Sequence, residues 1–317
     1  MAEQKRIIAV TGATGAQGGG LARAILADPA GGFVVRAITR NPSSDKAKAL
    51  VAAGAEVVAA DLDDPASLRA AFAGAYGAFC LTNFWEHFSA EKEVEQARHM
   101  AEAAKDAGVE HAIWSTLEDT RRFMDADDTR MPVLMGKYRV PHFDGKGEAD
   151  GVFRDAGVPT TFLLTSFYWD NFIHFGSGPQ RGEDGKLVLP LPMGEKKLSG
   201  MAVEDIGRCA YGVFREGVQH VGRTIGVVSE HLTGKELAAG LSKTMGEPVT
   251  YWPVPWEAFR RFDFPGADDL GNMFQFKHDF QEAFVGARDI GASRRLNPEL
   301  LTFAQWLDLR GSEIPRP

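Results

Sequence analysis

The chain has 317 residues, 44% of them hydrophobic and 25% charged, with a formal net charge of −8 and a pI near 5.6. That composition excludes a disordered chain and supports a sizeable buried core in one large domain or two lobes. The acidic balance argues against a general nucleic-acid or anionic-membrane binder, and no apolar run reaches the roughly 20 residues of a membrane span.

In chain order, the first element is a strand ending at Val10, which opens into Gly12-x-x-Gly15-x-x-Gly18 and then an Ala/Leu-rich helix. Strand, glycine turn and helix together present backbone N–H groups and a positive helix end to a pyrophosphate. Gly12 permits the tight turn, Gly15 removes a Cβ where phosphates approach, and Gly18 lets helix and strand pack closely. Because the apolar run passes straight into this loop, the N-terminus lacks a secretory h-region, and a cytoplasmic location is expected. Cys80 and Cys209 lie in apolar surroundings and read as reduced core thiols, and no Cys/His spacing suggests a metal site.

Further strands are predicted at 33–39, 56–60, 76–82, 112–116 and 160–165. Helices are predicted at 45–53, 65–72, 89–107 and 144–156. Near-continuous apolar strands alternating with helices imply α/β architecture, a doubly wound Rossmann sheet in the order 3-2-1-4-5-6. After about residue 170 Pro and Gly become frequent. There Asp205 reads as the N-cap of a helix at 206–214, and Thr233 with Glu236 as a capping box. Residues 1–170 are thus expected to form the nucleotide-binding unit and 171–317 a smaller α+β lobe, with segments from 200–230 packing back on the first. The charged stretch 118–139 lacks an apolar period and reads as a mobile surface loop, able to act as a lid.

Several residues carry chemistry. Strand two ends in Ile38-Thr39-Arg40 with no acid to bond a ribose 2′-OH, whereas a guanidinium can fork onto a 2′-phosphate, so NADP(H) is expected over NAD(H). Asp61 and Leu62, after strand three, either border an adenine or belong to the cap of the next helix. Thr82, Asn83 and Phe84, after strand four, either meet the ribose and phosphates or serve loop packing. If helical, His142 and Lys146 share a face. Their spacing is that of Tyr-x-x-x-Lys in short-chain dehydrogenases, with His in place of Tyr. Imidazole can donate a proton only when protonated, so proton delivery is possible but less natural than from a phenol. Tyr138 is the nearest tyrosine, and Pro141 breaks any helix joining it to Lys146. Ser115, at the end of strand five, is a candidate to hold a substrate oxygen.

Together Thr11 to Gly19, Thr39 to Pro42, Thr82 to Glu86, His142 to Glu148, the Tyr168–Asn171 turn and Leu296 to Trp306 resemble the NmrA-like family of atypical short-chain dehydrogenases. The likeness runs over almost the whole chain and is nearest to the redox-sensor branch. It implies NADP(H) in a cleft between a Rossmann unit and a small C-terminal lobe. The loop residues Gly12, Thr14, Gly15, Ala16, Gln17 and Gly18 would line the phosphates, with Gln17 contacting them. Arg40 would meet the 2′-phosphate and Lys146 the nicotinamide ribose. Phe167, Tyr168 and Asn171 would border the nicotinamide pocket. The missing phenol tilts the reading toward a regulator that follows the NADPH/NADP ratio and binds a protein partner. The alternative is an NADPH-dependent reductase of a small apolar carbonyl, quinone or enone, with Lys146, His142 and Ser115 as its catalytic candidates. A homodimer stays open. The segment 118–141 is longer than that branch leads one to expect.

Overall fold

The apolar runs pair in parallel because each is joined to the next by a helix that carries the chain back across the sheet. The computed structural model describes residues 5–125 and 127–317. Its strands β1 (Arg6–Val10), β2 (Phe33–Thr39), β3 (Glu56–Ala59), β4 (Gly77–Cys80), β5 (His111–Thr116) and β6 (Thr160–Leu164) form one sheet with the later β11 (Thr224–Gly226). The order is β11-β6-β5-β4-β1-β2-β3, every neighbouring pair parallel, so the expected 3-2-1-4-5-6 order holds with one added edge strand.

Helices cover both faces. On one lie α1 (Ala16–Ala27), α2 (Asp45–Ala52) and α7 (Val203–Glu216), whose Leu21, Ile25, Leu50, Ile206 and Phe214 pack on Ile8, Val10 and Val35. On the other lie α3 (Pro65–Phe72), α4 (Ala90–Asp106) and α5 (Pro141–Ala156), whose Leu68, Met100 and Phe153 pack on Ala9, Ala78 and Trp114. Cys80 and Cys209 are free and buried, and burial pushes both thiols up.

The C-terminal part builds two small sheets. One joins β7 (Phe167–Tyr168), β10 (Lys197–Met201) and β12 (Glu230–Thr233). The other joins β8 (Gln180–Arg181), β9 (Leu187–Pro190) and β13 (Val249–Trp252). Around them pack α6 (Asn171–His174), α8 (Gly234–Met245), α9 (Trp256–Phe259), α10 (Ala267–Asp279), α11 (Gln281–Gly286), α12 (Ile290–Leu296) and α13 (Phe303–Arg310). Their core is aromatic, with Trp169, Phe172, Phe303 and Trp306 at its centre. The Thr233–Glu236 capping box opens α8 as expected.

Three local expectations change. The helix expected from 144 begins at Pro141, because proline's fixed φ suits the first helical position, where its missing N–H costs nothing. Asp205 is no N-cap: α7 starts at Val203, and the buried Asp205 carboxylate instead accepts from the Leu301 N–H and the Asn297 side chain. The stretch 118–139, of which Ala126 lies outside the described residues, is fastened rather than free. Asn272 donates to the Pro132 and Arg139 carbonyls and Gln275 to that of Arg130.

The cover of the sheet depends on an unusually close helix pair. A Cβ on Gly207 of α7 would stand 2.1 Å from the Leu21 nitrogen of α1, and one on Gly20 would stand 2.8 Å from the Glu204 carbonyl oxygen. Both obstacles are backbone and cannot rotate away. Replacing Gly207 by Ala is therefore expected to cost about 3 kcal/mol, the upper range for overpacking. Urea unfolding measures it, and a change under about 0.5 kcal/mol, the scale of a neutral surface substitution, would refute the contact.

Candidate functional site

The glycine loop lies at the carboxyl end of β1, where α/β sheets bind ligands. Gly12 holds φ +62°, a conformation L side chains avoid. A Cβ on Gly18 would fall 2.6 Å from the Thr11 and Gly12 carbonyl oxygens, so only glycine lets α1 sit on the strand. Gly12, Gly15 and Ala16 are exposed and Thr14 half-buried, which leaves the loop face open. No side chain caps α1 and no acid occupies its first turn. Its first N–H groups, which lack intrahelical partners, are thus unopposed by protein charge. These features fit a dinucleotide pyrophosphate.

Arg40, exposed at the end of β2, reaches across the loop mouth to the Glu86 carboxylate at 2.9 Å. Asn83 donates to the same Glu86 oxygen at 3.2 Å. Asp61 accepts from the Asp63 N–H, while Asp64 caps α3 through the Ala66 and Ser67 N–H groups, so the capping role falls to Asp64. The Leu62 carbonyl pairs with His99 at 2.7 Å.

Deeper in the cleft the Lys146 carbonyl accepts from the Trp114 indole and the Thr116 hydroxyl, which latches α5 to β5. The Lys146 ammonium donates to the Thr82 carbonyl at 3.0 Å and hydroxyl at 2.7 Å. It also faces a Glu93 carboxylate oxygen at 3.1 Å. Glu93 is fully buried, and neither of its oxygens receives a hydrogen bond of good geometry among the described residues, so the ammonium is the charge that balances it. The sequence carries a signal for Glu93, which falls on the buried Ala90, Ala97, Met100, Ala101 stripe of α4.

One turn before Lys146, His142 packs against Phe84 and Trp85, ring centroids 5.9 and 5.0 Å away. Its Nδ1 meets the Asp269 carboxylate of α10 at 2.7 Å, and its backbone N–H donates to the other Asp269 oxygen at 3.2 Å. A carboxylate only accepts, so Nδ1 carries a proton and Nε2 is the edge left for chemistry. Asp269 lies 127 positions along the chain, and no local pattern announces it.

Ser115, Gln17 and Tyr168 form a third group. The Ser115 hydroxyl donates to Gln17 Oε1 at 2.8 Å, and Gln17 Nε2 donates to the Tyr168 hydroxyl at 2.6 Å. Burial, reinforced by the Glu93 charge, raises the Tyr168 phenol above its ordinary pKa despite its bonds to Thr165 and Gln17. Gln17 is buried and bridges β5 to β7. Tyr138 packs under Arg121 and Lys137. Phe167 lies in the C-terminal core beside Phe172 and Phe274, and Asn171 opens α6. Among the described residues no group of three or more His, Cys, Asp or Glu side chains is disposed to hold a metal ion, and no helix is long and apolar enough to cross a membrane.

Residues 4–307 match the NmrA-like family. The "NmrA-like family domain-containing oxidoreductase FrzB" of Cladobotryum sp is 32% identical over 289 residues, covering 85% of this chain and 83% of that protein. Among solved structures, NmrA, a negative transcriptional regulator, in complex with NADP superposes with a TM-score of 0.77 at 24% identity, covering 96% of this chain and 94% of that one. The NADPH-dependent quinone oxidoreductase QOR2 of Escherichia coli, complexed with NADPH, gives 0.74 at 25% identity, covering 95% and 99%.

The Lys146–Glu93 contact has a measurable consequence. Lys146→Met leaves the Glu93 carboxylate buried without its cation and is expected to cost about 3–5 kcal/mol. Adding Glu93→Gln should recover most of that loss. Urea melts of the two single variants and the double variant give the coupling, and purely additive losses would refute the pair.

Proposed function

The chain belongs to the NmrA-like family, and from that premise we propose that it is an NADP(H)-dependent oxidoreductase acting on a small apolar carbonyl, quinone or enone. The observation that carries this reading is the 2.7 Å contact between His142 Nδ1 and Asp269. A carboxylate that holds one ring nitrogen fixes the imidazole's orientation and tautomer, and in the imidazolium form Nε2 is the nitrogen free to give up a proton. This supplies the acid whose absence, as a phenol, made the sequence lean toward a regulator. The family resemblance of FrzB, named an oxidoreductase, and of QOR2, named a quinone oxidoreductase, supports the same class.

When bound, the reduced dinucleotide supplies a hydride. The glycine loop and α1 hold its pyrophosphate, Arg40 its 2′-phosphate, and Lys146 its nicotinamide ribose. Glu86 now occupies the Arg40 guanidinium, so the phosphate must displace a carboxylate there. Thr82 and Glu93 fix the position of the Lys146 ammonium. The two buried free thiols fit a reducing, cytoplasmic location.

A second reading, a regulator responding to the NADPH/NADP ratio, is favoured by Tyr138, whose ring lies under Arg121 and Lys137 and whose hydroxyl makes no hydrogen bond to Lys146 among the described residues. Turnover separates the two. The reductase reading expects NADPH oxidation with at least one member of a quinone and enone panel, and His142→Gln should lower kcat about a hundredfold while sparing NADP+ affinity. If wild-type protein binds NADPH and oxidises none of it across the panel, the regulator reading replaces this one. Independently, Arg40→Ala should weaken NADP+ binding about tenfold to a hundredfold and leave NAD+ binding unchanged, as calorimetry can show. An unchanged ratio would remove Arg40 from cofactor selection.

A further inference from the structure

The segment that follows β4 touches Lys146, His142 and Arg40 in turn. Thr82 takes two hydrogen bonds from the Lys146 ammonium. Phe84 and Trp85 pack on the His142 ring. Glu86 accepts from the Arg40 guanidinium at 2.9 Å, and Asn83 donates to the same carboxylate oxygen at 3.2 Å. Phe84, Trp85 and Glu86 form a single 3-10 turn. A shift at Glu86 is therefore felt one residue away, where Trp85 meets the imidazole.

The turn is packed on its inner side and strained at its exit. A Cβ on Gly266, the residue that opens α10, would fall 2.8 Å from the Trp85 ring, and Asp269 three positions later holds His142. Phe88 has φ +52°, a left-handed conformation that non-glycine residues rarely adopt. Such a backbone persists only while its neighbours hold it. Here the neighbours are Phe84 and Trp85, with ring centroids 5.9 and 5.8 Å from that of Phe88. On the solvent side the hold is the Arg40–Glu86 pair, in which each is the other's sole ion-pair partner among the described residues. The two side chains are 63% and 45% exposed, and an exposed pair contributes little, so a stronger partner can break it. A phosphate is that partner: it carries more charge than a carboxylate and accepts the guanidinium as a fork.

We propose that Glu86 is a specificity-determining and positioning residue, whose release from Arg40 by a 2′-phosphate couples NADP(H), and not NAD(H), to the Trp85–His142 contact. A ligand moves an equilibrium only by binding its two states unequally. The 2′-phosphate does so because it competes with Glu86 for one guanidinium, whereas a 2′-hydroxyl leaves the pair closed. The cofactor's phosphate is thus read twice, by Arg40 for affinity and through Glu86 at the imidazole. The inference rests on the reading that Arg40 meets the 2′-phosphate, and it serves a reductase or a regulator equally.

Two measurements test it. In calorimetry at low ionic strength, where exposed charges are least screened, Glu86→Gln should tighten NADP+ binding about twofold to fivefold and leave NAD+ binding unchanged. Tightening of both, or of neither, overturns the proposal. The second measurement needs no variant in the ligand arm. Adenosine 2′,5′-bisphosphate and AMP differ only in the 2′-phosphate, and neither carries a nicotinamide. Saturating bisphosphate should move the NMR signal of the His142 Cε1–H, identified by its loss in His142→Gln, and AMP at the same concentration should not. Glu86→Gln should show the moved signal before any ligand is added. A His142 signal unmoved by bound bisphosphate, or moved equally by AMP, overturns the coupling. Wild-type protein that binds NADP+ no more tightly than NAD+ would remove the Arg40 reading and this inference with it. A clear preference for NADP+ that Glu86→Gln does not change would overturn the role of Glu86 alone.

Discussion

A single buried carboxylate, Asp144, holds the working part of this molecule in register. It is fully buried and receives four hydrogen bonds, from the Thr120 N–H and hydroxyl and from the Arg139 and Val140 N–H groups. Those donors lie at the two ends of the 118–139 excursion, and the acceptor lies in the first turn of α5. One side chain thus closes the long loop and sets where the helix begins. Burial raises the Asp144 pKa and the four bonds oppose that rise, the balance expected of a carboxylate kept inside by donors rather than by a cation.

With its start fixed in this way, α5 sends successive residues to different tasks. His142 reaches across to Asp269 on α10, Phe143 packs its ring under the Lys277 ammonium, and Lys146 turns to Thr82 and Glu93. Three buried charges are met by three solutions: Glu93 by an opposite charge, Asp269 by an imidazole, and Lys277 by aromatic faces. Asp269 is bonded through both oxygens, whereas Glu93 has only the nearby ammonium and Lys277 only a thioether and ring faces.

The sheet was legible in the sequence because each strand is a short apolar run bounded by turns, and parallel crossovers allow few orders. The glycine loop was legible for a related reason, since its spacing is demanded by backbone contacts local in sequence. The site's second half was not. Asp269 sits on α10, 127 positions from the His142 it holds, and a charged residue on an apolar stripe says only that some partner exists. Asp205 misled because a cap and a buried acceptor look alike until Leu301, 96 positions later, supplies the N–H. Pro141 read as a breaker is also a starter, and which role applies depends on the Asp144 bonds to the residues before it.

The Gly20–Gly207 contact also orders events in time. The helix that follows the glycine loop is made before the helix that covers it, which lies some 180 positions later, the spacing of the Arg23–Glu204 ion pair between the same two helices. As the chain leaves the ribosome, α1 and the sheet face beside it keep Leu21, Ile25 and Val35 in water until α7 emerges. Long-range closure of this kind slows folding and exposes apolar surface in the interval. The nucleotide loop, synthesised well before α7, is therefore among the last parts to gain its final support, and a dinucleotide that favours the finished loop pulls the late step forward by mass action.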